Sequence, residues 1–363
     1  MTKTNYWHDG FGKNNFDFLR FLFALMVLVS HAFVLTLGDD ESTPDTDDFE
    51  PIFQLTNGVL TLGDFAVDGF FIISGFLIAH SYLRSKTLLT YLFKRILRIY
   101  PGFIIATILS MVAAFFSNGL NVFSLSEVLK SIGQMTVLIG YGVEGAFVSN
   151  PFPAVNGSMW TIQYEFWCYI WLMLGGILGF LKRPNIVIGA LVFFIIAAFC
   201  VYFFHLRVGL GKAGIVLGYP PFWPRLLSYF FAGVTFYLLR ERIPHSTSLA
   251  LISFFLFCIS LMSTSTFILF APILLTYLIL WVAYHPKLKF NNFAINGDFS
   301  YGIYLYAFPI QQLLIYNKIT LTPLENIFVA LPLTVLAGFL SWHLVEKRFL
   351  LHREHHRGGG GIG

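Results

Sequence analysis

Apolar residues run along this chain in long blocks separated by short polar breaks, and block length is the first informative quantity. A bilayer core takes roughly 20 mostly apolar residues in helical form. The blocks predict ten spans, at about 16–38, 64–83, 100–117, 158–181, 185–204, 223–239, 247–264, 266–284, 299–316 and 323–345. A weaker block at about 126–143 is interrupted by Lys130 and Gln134. It reads as an interfacial or re-entrant segment, with an extra span as the alternative. The expected fold is all-α: a polytopic membrane helix bundle of about ten transmembrane helices. The N-terminus is polar and the first block has spanning length, so that block is expected to be an uncleaved anchor.

Composition agrees. The chain has 363 residues, 56% hydrophobic and 12% charged, where soluble domains carry about a quarter charged residues. A soluble domain of this size is excluded. The net charge of +4 is spread over short loops, which gives no nucleic-acid patch. Cys168, Cys200 and Cys258 all fall in apolar runs, so no disulfide framework is implied.

Charge also sets the topology. On alternate loops, the side shared by the termini holds 17 of the 23 Lys and Arg residues, from Lys3 and Lys13 to Arg353 and Arg357. The opposite side holds five, namely Lys130, Arg207, Lys212, Arg225 and Lys318, and Arg20 remains inside a span. The positive-inside rule then places both termini in the cytoplasm. The first outer loop, "GDDESTPDTDDFEP", carries seven acids and reads as solvated and extracytoplasmic. Residues 1–350 are expected to form one transmembrane domain, and 351–363, "HREHHRGGGGIG", a flexible cytoplasmic tail rather than a metal site. In "GGILG", Gly175 and Gly179 have helix-packing spacing.

The candidate chemistry lies in the few polar groups inside the spans. Arg20 and His31 are eleven positions apart in the first span, three helical turns plus about 20°, hence one face and about 16 Å of axis. Asp17 lies about 40° off that face. Arg20 and Asp17 sit at the cytoplasmic mouth and His31 towards the outer leaflet. A buried arginine on a span costs a few kcal/mol and should face protein or water. Snorkelling of Arg20 beside Asp17 is the bland alternative, and it leaves His31 unexplained. Glu165, in the fourth span, matches His31 in depth, which suggests a base and its orienting carboxylate; a structural ion pair is the alternative. Asp68 lies a turn or so below the outer face. Trp160 and Tyr164 read either as an interfacial belt or, for Trp160, as the lining of a sugar site. In "KRILRIYP", Lys94, Arg95 and Arg98 stand at the mouth of the third span, as positive-inside anchors or as a phosphate clamp.

Taken together these segments resemble the acyltransferase-3 family of bacterial membrane O-acyltransferases. "FDFLRFLFALMVLVSHA" is similar to the family's opening helix with its arginine and histidine. "VDGFFIISGFLI", "KRILRIYP", "MWTIQYEFWCY", "SYGIYLYAFPIQQ" and "LVEKRF" follow in the family's order. Many members carry a histidine where this chain has Ala307, so Ser300, Tyr301 and Tyr304 receive no catalytic role. Some relatives append an esterase-like domain, which is not expected here.

The resemblance implies an acyl donor in the cytoplasm, usually acetyl-CoA, and a sugar hydroxyl as acceptor on the outer face of the bacterial inner membrane. Lipopolysaccharide O-antigen, capsule, peptidoglycan and small glycosides are acceptors of this class. His31 and Glu165 are the expected catalytic pair. Arg20, Arg95, Arg98 and Asp17 are expected on the donor, and Asp68, Trp160 and Gln163 on the acceptor. No metal or nucleic acid is expected. The competing function is a transporter using buried Asp, Arg, His and Glu as a path; no two-half repeat is visible to support it. A catalytically dead sugar or lipid sensor is a third option, against which intact Arg20, His31 and Glu165 speak.

Overall fold

A computed structural model describes residues 14–38, 50–118 and 124–350, with the side chains of Asn118 and Asn296 outside the description. Most of the acidic loop (39–49), Lys3, Lys13 and the tail 351–363 therefore lie outside the described residues. Among the described residues there are helices and turns and no strand. The principal helices are α1 Phe16–Leu37, α2 Leu62–Arg84, α3 Leu88–Asn118, α4 Leu125–Thr136, α5 Trp160–Ile177, α6 Pro184–Phe203, α7 Phe222–Leu239, α8 Thr247–Ser260, α9 Thr264–Ala283, α10 Ser300–Tyr316 and α11 Pro323–Ser341.

Each of the ten predicted apolar segments coincides with one of these helices. Six are long and apolar enough by length and composition to cross a membrane: α1, α2, α3, α6, α9 and the helix that begins at Pro323. The protein is an all-α, multi-pass membrane helix bundle.

Three differences from the sequence reading have physical causes. Helix α3 begins at Leu88, well before the predicted 100, and runs through Pro101. Its Lys94, Arg95 and Arg98 broke the apolar run, yet such residues keep their stems along apolar surface while the head stays polar. Helix α4 has 12 residues, about 18 Å of axis, too short for a 30 Å core. It is capped by the Ser124 hydroxyl, which accepts from the Glu127 amide at 3.2 Å. The third concerns "GGILG". Gly179 ends α5 in the left-handed region (φ 77°), and an added Cβ there would meet nothing within 4 Å. At Gly175 a Cβ would meet only the Phe180 ring, at 3.7 Å. Neither glycine makes a close helix crossing.

The chain divides into two compact units. The first gathers the start of α1 as far as Phe23, then Glu50–Tyr91 and Gln163–Phe293, and so holds α2, most of α5, and α6 to α9. Here α7 packs against α2, α6 and α9. The crossing of α2 and α7 is set by two glycines. A Cβ on Gly75 would lie 2.0 Å from the Phe230 carbonyl oxygen, and one on Gly233 2.2 Å from that of Ile72. Ile72, Phe76, Phe230 and Val234 surround the crossing in full burial. Small residues of this kind let membrane helices approach closely, where packing rather than water exclusion drives association. At the N-terminus of α2, Glu50, one of the seven acids of the first loop, is buried and accepts from the Leu62 amide.

The second unit takes α1 from Ala24, then Leu92–Ile162 and the chain from Ala294. It holds nearly all of α3, with α4, α10 and α11, and its α10 packs along α11. After α11 the chain makes a π-helical turn, Trp342–Glu346.

Candidate active site

In the second unit, His31 is half-buried on α1. Its Nδ1 faces the Ser158 hydroxyl at 3.5 Å, the long limit of a hydrogen bond. Its ring stands edge-on to Phe308 of α10, with 5.1 Å between centroids. No further hydrogen bond to this ring is formed among the described residues, so Nε2 is the nitrogen left for a substrate. Ser158 is positioned by a 3₁₀ turn, Gly157–Met159, capped by Asn156. The Asn156 amide in turn donates to Ser110 Oγ (3.1 Å) and to the Leu305 carbonyl (3.0 Å).

Two glutamines of α10 complete this frame. Gln311 donates to the Leu28 carbonyl on α1 at 2.9 Å, one turn before His31. Gln312 donates to the carbonyls of Phe152 (2.7 Å) and Ala154 (2.6 Å) and accepts from Asn150 at 2.7 Å. Both glutamines are fully buried. The backbone that leads to Ser158 is thus strapped to α10, and α10 to α1.

The same unit holds a cluster around Arg98. Its guanidinium meets Asp298 at 2.5 Å and lies 3.8 Å from Glu346 of the π-helical turn. Glu346 accepts from Ser341 at 3.0 Å, and Ser341 pairs with Tyr306 at 3.0 Å. Asp298 also accepts from the Ser300 hydroxyl. The Tyr301 hydroxyl donates to the Ile99 carbonyl at 2.9 Å. Segments distant in sequence, "KRILRIYP", "SYGIYLY" and "LVEKRF", therefore meet through one arginine. Lys94 and Arg95 are half-buried on α3. Trp160, at the start of α5, is 39% exposed.

In the first unit, Glu165 accepts from Ser74 of α2 at 3.0 Å and from the Tyr169 hydroxyl one turn along α5; Ser74 also donates to Tyr169 at 3.2 Å. Asp68 is fully buried on α2. It meets Arg225 of α7 at 3.1 Å, and the same guanidinium holds Asp64 at 2.8 Å. Gln163 donates to the Ile215 carbonyl at 3.0 Å. Arg20 pairs with Asp17 at 3.1 Å on the same helix.

Of the residues singled out in sequence, the structure thus joins Asp17 with Arg20, and gives Asp68, Arg98 and Gln163 protein partners of their own. His31 and Glu165 belong to different units, and each has partners within its own. Sequence reasoning missed Ser158, Asn156, Gln311 and Gln312 around His31, and Ser74 and Tyr169 around Glu165. Arg225 was read as a loop cation. A polar residue inside an apolar run was the available signal for each of Ser74, Gln311 and Gln312.

A family model, described as an acyltransferase domain, matches residues 13–343. That range takes in every side chain of the candidate site described above except Glu346. The chain belongs to the acyltransferase-3 family.

Two curated proteins align along nearly the whole of this acyltransferase. The O-acetyl transferase of Shigella phage Sf6 is 30% identical, over 93% of this chain and 96% of its own. Nodulation protein 10 of Rhizobium leguminosarum bv. viciae is 28% identical, over 94% of each. No solved structure matches. Family membership and the apolar helices together make this chain a membrane-embedded O-acyltransferase. Among the described residues no group of three or more His, Cys, Asp or Glu is placed to hold a metal.

Proposed function

We propose that this acyltransferase moves an acyl group, acetyl by default, from cytoplasmic acyl-CoA to a sugar hydroxyl of a cell-envelope or exported polysaccharide or glycolipid. In this reading it lies in the bacterial inner membrane with ten spans and both termini in the cytoplasm. The observation that carries the reading is His31: a half-buried imidazole on a membrane helix, with Nδ1 at Ser158 and Nε2 without a hydrogen bond among the described residues.

In the proposed step, Nε2 takes the proton of the acceptor hydroxyl as its oxygen attacks the thioester carbonyl. The carbon–sulfur bond breaks, and CoA leaves as a thiolate that regains the proton. Ser158 holds the ring in orientation. Glu165 is assigned the carboxylate that steadies the imidazolium; Ser74 and Tyr169 fix its rotamer. Arg95 and Arg98 are assigned to the donor phosphates, with Arg20 further along the pantetheine path, steadied by Asp17. Arg98 also carries Asp298 and Glu346, so its charge is shared between donor and protein. The acceptor is assigned to Trp160, through its exposed ring, and to Asp68 and Gln163. Attack on a His31-bound acyl group is the mechanistic variant.

General-base catalysis contributes about 10²–10⁴-fold, so His31→Ala should lower acyl transfer by that factor. Near-normal transfer by this variant removes His31 from the chemistry. Surface glycans from cells with and without the gene should differ by the mass of one acyl group; identical spectra refute the acceptor class.

A further inference from the structure

A cavity of about 630 Å³ lies within the first unit, open on one side, between α5, the first half of α6, α7 and the segment after α6. All sixteen residues that line it are apolar. Trp223, one of the two with a polar atom, spends its indole N–H on the Leu217 carbonyl at 2.8 Å. Six of the lining residues, among them Trp171, Leu174 and Leu178, are themselves exposed, so the cavity is an indentation in the apolar surface that the surrounding medium must fill.

Chemistry narrows the choice. Water needs two to four polar partners, and apolar cavities stay dry. A sugar or a nucleotide would leave its hydroxyls and phosphates unpaired against this lining, at a cost of several kcal/mol. Hydrocarbon has no such cost, and in a membrane-embedded chain hydrocarbon is the surrounding medium. Two of the lining positions, Gly175 and Ala190, are small.

The polar end of the occupant is indicated by charge. Phe180 and Leu181, at one end of the cavity, are followed at once by Lys182 and Arg183. Both are exposed and form no ion pair among the described residues. Paired cations at the membrane surface draw anionic headgroups. We propose that this cavity binds one acyl chain of an anionic bilayer phospholipid, with Lys182 and Arg183 on its phosphate. The site is independent of the acyl-transfer step.

The test is native mass spectrometry of the full chain released from mixed micelles, with phosphatidylglycerol and phosphatidylcholine of identical acyl chains supplied in equal amounts. Two surface cations, at about 1 kcal/mol each, are expected to favour the anionic lipid by about thirtyfold. Lys182→Gln/Arg183→Gln should equalise the two lipids while leaving total retention largely intact. Gly175→Leu should abolish retention of both; it adds a better helix former, and a Cβ there meets only Phe180 at 3.7 Å. Unaltered melting of the variants guards against misfolding as the cause. Equal retention of both lipids by the parent overturns the proposal. So does an unchanged ratio in the charge variant, or the capture of a polyprenyl phosphate in place of phosphatidylglycerol when that lipid is added.

Discussion

The crossing of α2 and α7 gives the sharpest stability prediction. Gly75→Ala places a methyl 2.0 Å from the Phe230 carbonyl, and Gly233→Ala one 2.2 Å from the Ile72 carbonyl, where ordinary contact begins near 3.4 Å. Each clash involves rigid main chain, so the helices must part by about 1.2–1.4 Å at that point. A gap of 0.5–1 Å already forfeits a quarter to a half of each dispersion contact, itself about 0.1–0.2 kcal/mol. With about 20 atom pairs across the crossing, half a well each is roughly 1.5 kcal/mol. Local backbone strain brings the expected cost of either substitution to about 2–3 kcal/mol, the upper part of the overpacking range.

Parting the helices for one methyl makes room for the other, so Gly75→Ala/Gly233→Ala should cost far less than the sum of the singles. Cys168 is buried and reports unfolding through its reactivity, in a background where Cys200 and Cys258 are serine. Melting followed by a maleimide dye in detergent then gives the shifts. Gly189→Ala is the control, since nothing lies within 4 Å of its added Cβ. Parental melting in either single variant, or shifts that simply add, would refute the reasoning.

Three further outcomes are expected. Arg225→Met strands Asp68 in full burial and should cost about 2–3 kcal/mol, below the 3–5 of a fully sequestered pair, because Arg225 is 36% exposed; adding Asp68→Asn should recover part of the loss in a double-mutant cycle. Gln312→Leu orphans the Ala154 carbonyl, while that of Phe152 keeps the Ala154 amide as donor, and should cost about 1–3 kcal/mol for the one orphaned group, read as a lowered unfolding midpoint and new chymotryptic cleavage near Phe152. His245, in the turn before α8, stacks on Trp281 and borders His285. Its burial holds its pKa below the usual 6.5, so the unfolded chain binds the proton more readily and stability falls as pH drops through about 6.5. Melting points at pH 7.5 and 5.5 should differ less in His245→Gln than in the parent.

The architecture was largely legible because its signal is one-dimensional. A bilayer fixes the length of apolar runs, and every predicted run coincides with a helix. The boundaries that slipped did so for local reasons. Arg95 and Arg98 ended the apolar run before 100 although the backbone stays helical from Leu88. Helix α8 stops at Ser260 rather than 264. Site legibility was of a different kind. Periodicity put Asp17 and Arg20 on one face, where they pair, and picked out His31. It had no means of finding Ser158 or Gln312, whose partners lie 127 and about 160 positions away in the sequence. Arg225 looked like a loop cation because the apolar run after it is stronger than the one before. Its acidic neighbours Asp64 and Asp68 stand on another helix.

The stretch from Ile215 to Tyr219 hangs from its neighbours in an unusual manner. Gln163, Trp167, Trp223 and Tyr164 reach it through the carbonyls of Ile215, Val216, Leu217 and Tyr219, and the Tyr219 amide returns a bond to Tyr164. Every such grip is on main chain, so the identity of those four side chains is immaterial to the anchorage. Gly218 is the exception: its φ is 77° and a Cβ would strike the Tyr164 ring at 2.5 Å. Evolution, or a designer, therefore has a surface strip whose letters can be rewritten around a single fixed glycine without loosening it from the scaffold.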